Sequence, residues 1–425
     1  MTKKQQRMLI FMCWLIYSVS YMGRYSYNSN VVPMATAFGK TETELGWAMS
    51  LFFFAYGAGQ IVNAILCKFY NPRYILSGSL IASSVLNVII FIGIPFDYIK
   101  YIWLLNGVAL SVLWTSLLMT ISKNLDERHI KSAILAIGTT VSTGTFLSYG
   151  LSALLALFDG WRYSFLIAGV VMTAVGICWF VIYGKITRTN QLAETDNTQS
   201  KNKVVEEKQN KNGVGFVVYT LIVFGVLAII TNLVKDGLNS WVSKILYDQY
   251  NLEESLSIIL TMVLPVVALF GNTFAVMLVK KIKTHNLVSG LIFLLVTVLT
   301  FVVTLLFKTS YWYLVLAVFS IVFLFISSSN SLITSIIPLT IKTKSNSGFI
   351  GGILNGCCYV GSTISSVGLG AIKEAYGSWM PIFILFIILG VCAVALNGIC
   401  YLVNFISAKK QGKESLNKSV KTFDF

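Results

Sequence analysis

Apolar runs of roughly twenty residues, set apart by short polar breaks, recur along the whole chain, and that is the length a helix needs to cross a hydrocarbon core about 30 Å thick. Twelve such runs are expected, near 8–33, 45–67, 73–95, 100–122, 131–157 and 161–184, then 214–247, 254–279, 286–307, 311–337, 347–373 and 378–406. Each is expected to be helical, because lipid offers no partner for an unpaired backbone N–H or C=O. Between the sixth and seventh runs lies the one long hydrophilic stretch, 185–213, which lacks aromatic residues and mixes both charge signs as a solvated linker does. The pattern predicts an all-α membrane protein of twelve transmembrane helices in two pseudo-symmetric six-helix bundles: residues 1–184, a cytoplasmic linker 185–213, residues 214–406, and a cytoplasmic tail 407–425.

Composition agrees. Hydrophobic residues make up 56% of the 425 and charged residues 12%, with a mean hydropathy of +0.75, which excludes a water-soluble globule. A net charge of +15 raises the question of nucleic acid, but the basic residues stand beside helix ends rather than on a soluble domain, so no nucleic-acid partner is expected. With a cytoplasmic N-terminus, 24 of the 32 Lys and Arg fall on the tails and even-numbered connections, against 6 opposite and 2 inside spans. Acidic residues divide 8 and 8, so the bias belongs to basic side chains and places both termini in the cytoplasm of a multi-pass inner or plasma membrane protein. The first apolar run leads into an Arg without a small-residue cleavage site, which predicts a span rather than a removed leader.

Motifs for catalysis are missing. The chain has no nucleophile elbow, P-loop or H-E-x-x-H, and its two histidines, His129 and His285, fall in predicted connections. Cys13, Cys67, Cys178, Cys357, Cys358, Cys392 and Cys400 lie in or beside apolar runs without metal-ligand spacing and read as small apolar packers. An enzyme, a cofactor and a metal are therefore not expected. Any concentrative work must draw on an ion or solute gradient.

An ionisable side chain inside a span costs at least a few kcal/mol, so each one is a candidate for function. Arg24 follows Tyr17 and Tyr21 and precedes Asn28, at offsets that share one helical stripe. A guanidinium among phenols suits a phosphate or carboxylate, since its planar fork donates two parallel hydrogen bonds and keeps its charge; the plainer reading is an Arg reaching for headgroups. At the corresponding depth of the seventh span stands Lys235, sharing a face with Asn232 and Asn239. Asp236 beside it is either the carrier of a coupling ion or half of a local ion pair with Lys235. On the second span Tyr56, Gln60 and Asn63 form a neutral polar stripe, and the eleventh carries Asn355 and Tyr359 with small residues at Gly348, Gly352 and Gly356 that suit close packing.

The stretches YSVSYMGRYSYNSNVVP (17–33), LGWAMSLFFFAYGAGQ (45–60), NPR (71–73), LVKDGLNSW (233–241) and SGFIGGILNGCCYVGS (347–362) resemble the organophosphate:phosphate antiporter family of the major facilitator superfamily. That resemblance implies a major facilitator fold with a solute site between the halves. It also implies phosphate-holding cations at Arg24 and Lys235, with Tyr17, Tyr21 and Tyr359 around them. Departures accompany it: Lys235 lacks the bidentate fork, a lysine of the glycerol-phosphate carriers falls at Gln60, their fifth-helix histidine falls near Val141, and an acidic residue of the connection between helices two and three falls near Lys68. The expected function is secondary active transport of a small organic anion, a phosphate ester exchanged for inorganic phosphate, by a monomer. Alternatives are a membrane sensor of sugar phosphates and a sugar-acid:cation symporter in which Asp236 carries the coupling.

Overall fold

The chain folds in a computed structural model that describes residues 1–66, 69–195, 214–282, 284–340 and 347–410. Among the described residues, twelve helical segments run back and forth, six before and six after the linker. Among the described residues, nine segments are long and apolar enough to cross a membrane on length and hydropathy alone. The first, fifth and eleventh are the more polar ones, with buried Ser, Thr, Asn and Arg along them. Most of the linker (196–213), the tail from 411 and Lys68 lie outside the described residues.

Several expected single helices are broken. The first span begins at Lys3, where Thr2 and Gln5 form a reciprocal cap, and its helix Lys3–Tyr25 gives way to a 3-10 turn, Asn28–Asn30, before resuming as Val31–Phe38. Side chains on three other spans hold that break. Ser26 donates to Asn87 Oδ1 at 2.8 Å, while Asn30 Nδ2 donates to the Ser26 carbonyl at 2.7 Å, to Ser152 Oγ at 3.0 Å and to Ser164 Oγ at 2.7 Å. Backbone groups freed by a broken helix need such partners where water is excluded. The fifth span is likewise interrupted, as Glu127–Gly138 and Thr140–Ala156, and the tenth passes through a π-helical turn, Leu332–Ile336, after Trp312–Ser331.

The halves meet through the second span, Glu42–Leu66, against the eleventh, Ser347–Tyr376, and through the fifth against the eighth, Glu254–Thr261 and Val263–Ile282. Exchanging each span for its counterpart six places along turns the first contact into the second, the signature of a pseudo-twofold axis between the bundles. The resumed helix of the first span leans on the seventh, Val214–Tyr250.

Glycines set how closely the seam can close. A side chain on Gly46 would strike the Ser366 carbonyl and sit 2.8 Å from Val367 Cα, and one on Gly370 would lie 2.7 Å from the Glu42 carbonyl carbon. Backbones therefore touch here as they do at small-residue seams in lipid. Of the expected ladder at Gly348, Gly352 and Gly356, the surroundings of Gly348 lie outside what the structure describes, and the other two do not form the backbone contact. Gly352 faces open space within 4 Å and Gly356 meets only the Ile61 side chain, so the close approach lies further along the same helix. His129, expected in a solvated loop, partners Asp126, the residue capping Glu127–Gly138. Its Nδ1 lies 2.6 Å from Asp126 Oδ1, and this contact holds the carboxyl below its ordinary range.

Candidate functional site

Arg24 sits in the last turn of the helix Lys3–Tyr25, just before the break, and is 4% exposed. Its guanidinium carbon lies between 4.7 and 5.6 Å from six ring centroids: Tyr21, Tyr25, Phe52, Phe53 and Tyr56 from the first half, and Tyr359 from the second. Helical spacing builds the cage. Tyr21 and Tyr25 flank Arg24 on one helix, and Phe52, Phe53 and Tyr56 project from about one turn of the second span. Gly57 makes room for the sixth ring, since a Cβ there would lie 2.6 Å from Tyr359 Cβ.

The cage holds the charge without satisfying its donors. A desolvated cation over a ring gains about 2 kcal/mol, against a desolvation cost of several kcal/mol. Of the five N–H groups a guanidinium offers, Nη1 reaches Tyr21 OH at 3.4 Å and Tyr359 OH at 3.5 Å, both long, and Nε has no partner. Among the described residues no carboxylate pairs with Arg24. An oxyanion would satisfy what the protein leaves open.

The other predicted residues divide into four groups. Tyr17 meets Tyr21 edge to face with centroids 5.2 Å apart and so backs the cage. Gln60 and Asn355 join the two halves directly, Asn355 Nδ2 donating to Gln60 Oε1 at 2.5 Å one turn from Tyr56 and Tyr359. Lys235 does not stand free: its Nζ lies 3.3 Å from Asp236 Oδ1, and Asp236 also accepts from Ser362 Oγ. Asn232 Nδ2 reaches Ser362 Oγ at 3.4 Å while its own Oδ1 is buried without a partner.

Asn28 by its side chain, and Asn239 by its backbone carbonyl, take part in bonds between the halves. The expected stripe through Asn28 assumed one continuous helix. After the break, Asn28 Nδ2 points across to the seventh span, donating to Ser240 Oγ at 2.8 Å, and Tyr149 OH donates to the Asn239 carbonyl at 2.6 Å. Ser50 Oγ donates to the Thr363 carbonyl at 2.6 Å, and Lys244 Nζ lies 3.4 Å from Glu42 and 2.6 Å from Asp248. Together these bonds close one end of the interface.

Phe52, Phe53 and Tyr25 are cage members that spacing alone did not single out. Tyr56 did lie on the neutral stripe of the second span. A signal was available: aromatic residues at 52, 53 and 56 fall on the face that also carries Gln60.

A sequence model of the Major Facilitator Superfamily matches residues 13–366. The chain belongs to that superfamily. Two curated relatives, the membrane sensor protein UhpC of Escherichia coli (strain K12) and that of Salmonella typhimurium (strain LT2), are 28% and 27% identical over 180 residues. Those matches cover 41% of this chain and 40% of each relative's length. Crystal structures of a bacterial homolog to the human lysosomal transporter Spinster, inward-facing and either occupied or unoccupied, align with TM-scores of 0.71 and 0.72. They cover 96% and 93% of this chain and 98% and 97% of those, at 14% identity, a likeness in fold.

Proposed function

We propose that the chain carries a small organic anion across the cell membrane by alternating access, with both termini cytoplasmic and the bundles 1–184 and 214–406 rocking about the interface. The solute is a phosphate ester or similar oxyanion, exchanged against inorganic phosphate. One observation carries this reading: a buried guanidinium caged by rings from both halves, with a donor unpartnered and, among the described residues, no carboxylate paired with it. A structural Arg at this depth would have an acidic partner or water. Because Tyr359 belongs to the second half and the other rings to the first, an anion at Arg24 contacts both bundles, and it shifts the conformational equilibrium only as far as it binds one state better than the other. Tyr17, Gln60, Asn355, Asn232 and Lys235 shape the surrounding polar lining.

Proteoliposomes loaded with phosphate test it. Arg24→Gln should abolish exchange of labelled phosphate, and Arg24→Lys should cut it by roughly 100-fold because the two-pronged grip is lost. Undiminished exchange by Arg24→Gln would refute the site. The curated relatives favour a second reading, since both are membrane sensor proteins. On that reading the same anion binds, Arg24→Gln still abolishes binding, and no flux is seen in the wild type.

A further inference from the structure

We propose that Asp236 sets the charge selectivity of this site, so that it takes a singly charged anion in preference to a doubly charged one. The inference rests on the anion-binding reading above and concerns which anion fits. Two cations approach the interface from the first and seventh spans, yet the structure treats them differently. Arg24 keeps its full charge among six rings. The charge of Lys235 is matched at 3.3 Å by Asp236, whose buried carboxylate is anchored by the Ser362 hydroxyl.

The two cations are neighbours through the eleventh span. Tyr359, which touches Arg24, and Ser362, which holds Asp236, lie three residues apart on one face of that helix, about 4.5 Å of rise. The site therefore carries a net charge of one rather than two. Among the described residues, Lys244 with Glu42 and Asp248 form their own cluster at the sealed end, and Glu254 there accepts from Thr36 Oγ1 at 2.9 Å. A dianion entering beside Arg24 would leave one of its charges uncompensated next to a buried carboxylate, which is costly where water is excluded. A monoanion is neutralised by Arg24 alone.

Lys235 differs from Asp236 in freedom. Its side chain is 19% exposed against 5% for the carboxylate, so the ammonium can turn while the carboxylate stays bonded. Asp236 is thus the fixed element that decides how much of the second cation an arriving solute meets.

The test uses two probes with the same body and fixed charge at pH 8: glucose 6-sulfate, singly charged, and glucose 6-phosphate, doubly charged. Binding of each to the full-length protein in lipid nanodiscs is measured by competition against labelled phosphate. The wild type should favour the sulfate ester. Asp236→Asn should move the ratio toward the phosphate ester by about tenfold or more, the order a unit charge exerts over several ångströms at an effective dielectric of about 20. The double change Lys235→Gln with Asp236→Asn restores a net charge of one and should bring the sulfate preference back. That recovery would not follow if Asp236 were only a structural prop. A wild type that favours the phosphate ester, or a ratio unmoved by Asp236→Asn in a variant that still binds, overturns the inference while leaving the anion site standing. Absence of Arg24-dependent binding for phosphate and both esters overturns the site itself.

Discussion

Tyr359 gives Arg24 two separable things, a hydroxyl at 3.5 Å and a ring face 5.4 Å from the guanidinium carbon. The hydroxyl contact is too long to count for much, whereas the ring is one wall of the cage and the one supplied by the other half. Tyr359→Phe should therefore weaken solute binding by no more than about threefold, and Tyr359→Leu by roughly tenfold, read as the concentration giving half-maximal exchange. Equal losses in the two variants would mean that the hydroxyl, and not the ring, supports the cation. Arg24, Tyr17 and Tyr21 were legible as candidates in the sequence because an intramembrane charge is too costly to be incidental and its helical neighbours follow by spacing. Tyr25, Phe52 and Phe53 were not. A phenylalanine in an apolar run looks the same whether it faces lipid, core or cation, and only the close approach allowed at Gly57 brings these rings and Tyr359 together. Asp236 was legible only as a choice between coupling ion and ion pair, and the geometry places it beside Lys235.

At the scale of the helices, membrane-spanning length was readable and interruptions were not. Hydropathy integrates over a window, so a broken helix and a straight one with the same residues look alike. The break at Asn28–Asn30 depends on partners at Asn87, Ser152 and Ser164, which lie far off in sequence. The glycine seam between the second and eleventh spans shows the same limit. A triplet spaced by four drew the expectation to Gly348, Gly352 and Gly356, whereas the backbone contact described falls at Gly46 and Gly370, one glycine on each helix, and not at Gly352 or Gly356. Gly46→Val should thus hold the seam apart. In a background carrying Ser240→Cys, a residue 1% exposed at the sealed end, labelling by a membrane-impermeant maleimide should accelerate by roughly tenfold, the scale of a clash costing about 1–3 kcal/mol in the closed form. An unchanged labelling rate would mean that this contact does not govern closure.

For the molecule as a whole, the sealed end is where the two halves are joined by charge. Lys244 on the seventh span reaches Glu42 on the second at 3.4 Å while holding Asp248 on its own helix at 2.6 Å, and Asp248 accepts from Trp379 Nε1 at 3.2 Å. Among the described residues this is the ion pair that spans the bundles. Because Lys244 retains Asp248, removing Glu42 does not strand a buried charge, so the loss should be far smaller than the roughly 3–5 kcal/mol typical of an orphaned ion. About 1 kcal/mol is the expected scale, a shift of roughly fivefold toward the state open at this end. Removing Lys244 instead leaves Glu42 and Asp248 facing each other without a cation, and the repulsion should open the end further. Distances between spin labels on the connections after the first and seventh spans, measured by pulsed electron resonance, would read both variants. The expected order of opening is wild type, then Glu42→Gln, then Lys244→Gln, and a Lys244→Gln variant as closed as the wild type would show that the backbone seam, and not the ion pair, keeps this end shut.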